Sequence, residues 1–239
     1  MKLKKLVAIT LSAVMCMAAL TGCGGKSDSA KKTAKVIEVD LTDEQYAFGV
    51  DKDQPDLLKE VNQFVKDMKS DGTFDEICNR YFGDGTPVPV KSAAYDESKD
   101  QLVVATNAAF EPFEYMDGEN YVGIDMEIAK ALADKLGKEL VIQNMDFDAV
   151  CLSVGQHKCD VAMAGLTIKP DREEYVAFSD PYYSASQKLI TLSTDTEFDA
   201  CKTADDVNKI LEAKGSDLKI GFQNGTTGPV SYTHLTLPT

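Results

Sequence analysis

Arg172 follows Pro170 and so falls in the first turn of a predicted helix, where a planar guanidinium can hold a carboxylate through two parallel hydrogen bonds. The plainer alternative is a surface arginine paired with Glu173 or Glu174. Just upstream, Gly165 permits close approach to the backbone, and Thr167 offers both an amide and a hydroxyl. Taken alone, these two are only a strand end. Asn107 adds a neutral amide, while Phe110 and Phe147 add aromatic surface that in isolation reads more naturally as core. Further along, Gln223-Asn224-Gly225-Thr226-Thr227-Gly228 is, as a bare pattern, a turn. Acid–base catalysis finds less support: His157, the one histidine outside the final residues, falls mid-helix by its spacing, away from strand ends. Cys78, Cys151, Cys159 and Cys201 form no CxxC pair and have no histidines at metal spacing, so neither a metal nor another cofactor is expected. Cys151 and Cys159 stand eight positions apart on a predicted helix, about 12 Å along its axis, which is beyond disulfide reach. The four are expected to be mostly buried and free.

The elements that must position these residues are legible from Gln101 onward. Strand Leu102–Thr106, helix Ile124–Leu136 with its stop at Gly137, strand Glu139–Gln143, helix Phe147–Gln156 and strand Asp160–Ala164 alternate. Such alternation predicts a parallel sheet covered by helices on both faces, whose ligands bind at the carboxyl ends of the strands. Asn107 and Gly165 each lie just past such an end, and Phe110 and Phe147 follow strand ends too. Upstream, Val36–Val39 and Tyr46–Val50 read as strands. Pro55 opens a helix in which Leu57, Leu58, Val61, Val65 and Met68 recur at helical spacing until Gly72, and a shorter helix ends at Gly83. Asp84 to Asp100, with Gly85, Pro87 and Pro89, reads as a connecting loop, and Leu218–Phe222 as a strand leading into the Gly/Thr turn.

The 239 residues are 44% apolar, enough to build a core, and carry a formal charge of −14 without a basic cluster beyond the extreme N-terminus. Nucleic acid is therefore an unsuitable partner. At the start, Lys2, Lys4 and Lys5 precede an apolar run from Leu6 to Leu20, and Leu20-Thr21-Gly22-Cys23 resembles a bacterial lipobox. The run is shorter than the ~20 residues a bilayer span needs, which favours an export signal with Cys23 as the lipidated residue over a transmembrane anchor.

The stretch Leu102–Ile190 resembles the type II periplasmic binding proteins for polar amino acids, closest to the glutamine-binding and the lysine/arginine/ornithine- or histidine-binding members. The resemblance is carried by Val104-Ala105-Thr106-Asn107-Ala108-Ala109-Phe110-Glu111-Pro112-Phe113, Tyr121-Val122-Gly123-Ile124-Asp125, Met145-Asp146-Phe147, Ala164-Gly165-Leu166-Thr167 through Arg172, and Phe178-Ser179-Asp180-Pro181-Tyr182-Tyr183. Tyr46–Gly83, with Gly49-Val50, Leu57-Leu58 and Asp71-Gly72-Thr73-Phe74, resembles the C-terminal end of the same family, although here it comes first. That order implies a circular permutation. A remnant of a preceding duplicated domain would instead leave Tyr46–Gly83 unpacked against the Leu102 sheet.

The resemblance implies an α/β fold of the two-lobed, Venus-flytrap kind, with lobe 1 near complete and lobe 2 truncated. The expected organisation is a lipoprotein signal over 1–22, a flexible tether over 23–35, a permuted C-terminal segment of lobe 1 over 36–84 and a linker over 85–100. The ligand-binding core of lobe 1 follows over 101–185, then the start of lobe 2 over 186–228. The remaining 229–239 resemble a translated sequencing adapter. Within this frame Arg172 holds the ligand α-carboxylate, Gly165 and Thr167 meet its carboxylate or ammonium, and Phe110 and Phe147 clamp its stem. Asn107 stands where relatives often carry an aspartate and so favours a neutral polar side chain. Gln223, Thr226 and Thr227 lie in a Gly-Thr-Thr loop whose amides grip the carboxylate from the opposite side. The acid that relatives use for the α-ammonium is expected beyond the sequence. The function implied is that of a lipid-anchored, monomeric, extracytoplasmic receptor that captures an amino acid, closes about a hinge near Tyr182–Ser186 and serves an ABC-transporter permease. A dehydratase-like enzyme on the same fold and a ligand-sensing receptor domain are the alternatives.

Overall fold

The computed structural model describes residues 33–215 and 218–228. The signal, Cys23, most of the tether and the adapter-like tail lie outside the described residues. In chain order the first elements are β1 (Ala34–Val36), β2 (Glu44–Tyr46), β3 (Gly49–Asp51), α1 (Pro55–Ser70), α2 (Thr73–Phe82) and β4 (Gln101–Thr106). Then come β5 (Ala109–Phe110), β6 (Glu114–Asp117), β7 (Asn120–Val122), α3 (Ile124–Leu136), β8 (Glu139–Asn144) and α4 (Phe147–Gly155). The last are β9 (Val161–Ala162), α5 (Pro170–Glu173), β10 (Val176–Phe178), β11 (Tyr183–Ala185), β12 (Ile190–Leu192) and α6 (Ala204–Ala213). They fall into two units that divide the chain after Thr42 and after Ala185.

The larger unit takes in Asp43–Ala185 and the described residues from Ile220 onward. Its centre is a five-stranded sheet in the order β10-β3-β9-β4-β8. β4 runs parallel to β8 and β9, as the alternating pattern predicts, but β3 is antiparallel to both β9 and β10. The expectation of a parallel sheet is corrected by a strand that enters from upstream of Gln101, outside the β-α-β alternation on which it rested. Tyr46–Gly83 accordingly packs into the Leu102 sheet. α1 lays Val61, Phe64, Val65 and Met68, spaced i, i+3, i+4 and i+7, against the core shared with Leu102 and Val104. Between β2 and β3, Phe48 is fully buried and its ring stacks on Tyr182 with centroids 4.3 Å apart, a burial that contributes roughly 2–3 kcal/mol. This turn-in of Ala47 and Phe48 is why the single predicted strand Tyr46–Val50 is two: β2 pairs with β11, and β3 with β9 and β10.

The smaller unit holds the described residues up to Thr42 and those from Ser186 to Lys219. β1 pairs antiparallel with β12, Ala34 opposite Leu192 and Val36 opposite Ile190. The strand thus begins inside the predicted tether and ends where Val36–Val39 was expected to start, because its partner β12 is only three residues long. α6 opens with a capping box, Thr203 accepting from the Asp206 amide and the Asp206 carboxylate reaching back to the Thr203 amide. Leu218 to Phe222 form no strand, and the residues from Ile220 group with the larger unit and not with the segment that precedes them.

Candidate functional site

Arg172 occupies the first turn of α5, where Pro170 at the start presets the backbone for a helix. Its side chain turns inward and is 7% exposed, so the alternative of a surface arginine paired with Glu173 or Glu174 does not hold. Nη1 donates to the Thr167 carbonyl at 2.8 Å and Nη2 to the Gly225 carbonyl at 3.0 Å. The guanidinium carbon lies 5.1 Å from the centroid of the Phe147 ring at the start of α4, a cation–π contact. Burial pulls the Arg172 pKa down, opposed by Cys151, Asp171, Glu44 and Tyr46. The fork of the guanidinium thus spans two loops, the turn after β9 and the Gly/Thr turn.

The same two loops meet on a residue that the sequence reading missed. Thr167 Oγ1 donates to Glu44 Oε2 at 2.6 Å, and Thr227 Oγ1 donates to Glu44 Oε1 at 2.7 Å. Glu44 is 5% exposed. Its signal in the sequence is the alternation Glu44-Gln45-Tyr46, buried, exposed, buried, which puts the acid on the inner face with Tyr46. Without knowledge that β2 crosses beside Thr167, nothing marks that face as functional.

Gly165 sits past β9 with φ +53°, and a Cβ there would come within 2.9 Å of the Phe110 ring, so both the backbone shape and the aromatic neighbour call for glycine. Its amide donates to Asp125 Oδ2 at 2.9 Å, and the Tyr182 hydroxyl donates to Asp125 Oδ1 at 2.6 Å. Asp125, on the first turn of α3, is fully buried; burial raises its pKa to about 6 against those two hydrogen bonds. Glu114, also fully buried, has no hydrogen-bond partner at either carboxyl oxygen among the described residues, and burial followed by the charge of Asp125 raises its pKa well above the usual range. The Tyr46 phenol is pushed up by burial first, then by Glu44, Glu114 and Asp125.

Asn107, at the carboxyl end of β4, donates from Nδ2 to the Met145 carbonyl at 2.8 Å and accepts from Gln223 Nε2 at 3.2 Å. Phe110 is partly exposed and stacks on Phe113 with centroids 5.4 Å apart. The two rings expected to clamp one ligand stem thus make separate contacts, Phe147 with the guanidinium and Phe110 with Phe113. Thr226 Oγ1 donates to the Gln223 carbonyl of its own turn, so its hydroxyl closes the loop. Gly225, with φ +75°, brings its Cα against Asp148, whose Oδ1 would lie 1.9 Å from an added Cβ.

His157 is not mid-helix. α4 stops at Gly155, and His157 follows with φ +58°, Nδ1 at 2.8 Å from Asp51 Oδ2 and Nε2 at 3.6 Å from Asp53 Oδ2. Asp51 first, then Asp53, raise its pKa. These three form the one cluster with metal-ligand spacing among the described residues. Cys159 too lies beyond the helix end; all four described cysteines are free, Cys151 and Cys159 buried, Cys78 and Cys201 partly so.

The family profile of bacterial extracellular solute-binding proteins, family 3, matches residues 8–84 and 102–225. The chain is 33% identical over 144 residues to the arginine-binding extracellular protein of Bacillus subtilis, covering 57% of this chain and 56% of that one. It is 29% identical over 133 residues to a probable histidine-binding protein of Neisseria gonorrhoeae (55% and 46%) and 31% identical over 127 residues to the cyclohexadienyl dehydratase of Pseudomonas aeruginosa (52% and 47%). A crystal structure of an ancestral amino acid-binding protein, a precursor of cyclohexadienyl dehydratase, is 30% identical over 68% of this chain and 60% of that one, with a TM-score of 0.49. The chain spans about half the length of the curated relatives it matches. With a mixed α/β unit of the type II periplasmic-binding-protein kind and a profile match over both blocks of sequence, the chain belongs to the family 3 extracellular solute-binding proteins.

Proposed function

We propose that this protein captures a polar amino acid outside the cytoplasm and delivers it to an ABC-transporter permease. The observation that carries the proposal is the buried Arg172 guanidinium, held by Thr167 and Gly225 carbonyls and backed by Phe147. A guanidinium so fixed offers two parallel donors, the geometry that suits a carboxylate, and a carboxylate oxygen replacing the Gly225 carbonyl would gain a charge-assisted bond. Family membership and relatives named for arginine or histidine binding support the amino-acid reading. Calorimetric titration with a panel of polar amino acids tests it. Saturable binding that Arg172→Ala removes is expected; equal affinity in that variant would sink the reading.

An enzymatic reading has one observation in its favour, the resemblance to cyclohexadienyl dehydratase. Turnover of a cyclohexadienyl acid into an aromatic product, followed by ultraviolet absorbance, would establish it in place of transport.

Lipid attachment at Cys23 is part of the proposal, supported by the charged start, the apolar run and the Leu20-Thr21-Gly22-Cys23 sequence. Fatty-acid labelling is expected in the wild type, and label retained by Cys23→Ala would argue against it. The permuted order is also proposed. Its support is β3, which lies between β9 and β10 in the sheet built from residues 101–178, together with a profile match in two blocks. Deleting 43–84 should then abolish the cooperative unfolding of 101–185; a duplicated remnant would leave that core folded.

A further inference from the structure

We propose that His157 and Asp53 form a surface site for a divalent ion of the zinc class, with Asp51 as the buried acid that orients the histidine. The site shares no residue with the Arg172 site and does not depend on the amino-acid reading. A division of labour among the three groups carries the inference. Asp51, at the end of β3, is 3% exposed, and both of its oxygens are engaged: Oδ1 accepts from the Asp53 amide at 2.9 Å, and Oδ2 stands 2.8 Å from His157 Nδ1. An ionised carboxylate only accepts, so Nδ1 carries the proton and the neutral ring presents its lone pair at Nε2. Neither Nε2 nor the Asp53 carboxylate that faces it makes a hydrogen bond among the described residues.

The supporting atoms are thus occupied and the coordinating atoms are not. Nε2 and Asp53 Oδ2 lie 3.6 Å apart, too long for a hydrogen bond. Two such atoms on one zinc ion, with bonds of about 2.0–2.2 Å at a tetrahedral angle, stand roughly 3.3–3.5 Å apart. The Asp53 side chain is 80% exposed and able to close that small difference. A carboxylate that accepts from the far nitrogen of a ligating histidine is the common support of a metal-bound imidazole, fixing its tautomer and direction. The surrounding charge also suits a cation, since Lys52, between the two acids in the chain, donates instead to the Glu174 carbonyl at 3.0 Å. Imidazole nitrogen beside carboxylate oxygen favours zinc or nickel over magnesium and calcium, which take oxygen ligands. The cluster escapes a sequence reading because Asp51 and His157 are 106 positions apart. For the same reason a bound ion would join the segment upstream of Gln101 to the turn after α4 and stabilise the folded form.

The test is a titration of the full chain, free of any polyhistidine tag, with Zn²⁺ near neutral pH, followed through the imidazole ring signals in proton NMR. The chain has two histidines, His157 and His234, and His157→Gln identifies which signals belong to His157. Saturable movement of the His157 signals is expected, with a rise in unfolding temperature that His157→Gln removes, while Mg²⁺ moves neither. Asp51→Asn is expected to weaken Zn²⁺ binding about 10- to 100-fold, and Asp53→Asn about tenfold or more. Asp53 is exposed, so where the Asp51 variant does not fold, Asp53→Asn decides. The competing arrangement is a protonated imidazole shared between two carboxylates, which offers zinc no nitrogen. His157 signals that Zn²⁺ leaves unmoved, or moves equally in Asp53→Asn, would overturn the proposal. So would zinc binding that spares His157 and disappears when the thiols are blocked.

Discussion

Two acidic places in the larger unit differ in depth of burial and in the nearness of a cation. Glu44 accepts two hydroxyls from the loops that the Arg172 guanidinium also holds, and its charge is felt at Arg172. Behind Gly165, Asp125 and Glu114 are more deeply buried, have no arginine or lysine partner among the described ion pairs, and are pushed toward their neutral forms. A carboxyl in an apolar interior works as a hydrogen-bonding part, fixing the Gly165 turn and Tyr182 from the rear. The first place ties together the two loops that hold Arg172, and the second shapes the Gly165 turn from behind.

Arg172 is where this contrast breaks hardest. Arg172→Ala removes the cation and two charge-assisted hydrogen bonds, so ligand affinity is expected to fall about 100-fold or more, read by calorimetry. Next in size is Asp125→Ala, which leaves the Gly165 amide and the Tyr182 hydroxyl buried without their acceptor and should destabilise the protein by about 3 kcal/mol in urea unfolding. Asp125→Asn, of the same shape, should cost less.

The buried pair also sets a pH dependence. Asp125 keeps its proton up to about 6 in the folded protein and to about 4 when unfolded, so between those values the folded form binds more protons and stability falls as pH rises. Glu114, raised in the same direction, adds to that loss. The difference in unfolding free energy between Glu114→Gln and the wild type should therefore move in favour of the variant as pH rises from 4 to 7; a difference that is flat with pH would contradict the buried-acid account. The smallest effect is that of Gly165→Ala, which places an alanine at φ +53° against Phe110 and is expected to cost about 1–2 kcal/mol, with weaker ligand binding.

Much of the second half of the larger unit was legible because its elements are local. α3 runs from Ile124 to Leu136 as its periodicity and Gly137 predict, and Pro170 announces the turn that carries Arg172. What was not legible depends on partners distant in the chain. Glu44 acquires meaning only through Thr167, 123 positions away, and Thr227, 183 away. The antiparallel β3 depends on pairing with β9 and β10, a register that no local pattern encodes. Leu218–Phe222 has the composition of a strand but no strand to pair with among the described residues, and alternation alone does not supply a partner. Asp125 was read as part of a motif and its buried role went unseen, since a charge at the head of a helix ordinarily faces solvent.

The most direct test of the central claim is a calorimetric titration of the chain with L-arginine, L-histidine and L-glutamine, run alongside Arg172→Ala. The account predicts saturable binding of at least one amino acid by the wild type and none detectable by the variant. Binding that survives the loss of Arg172, or a chain that binds no amino acid at all, would contradict it.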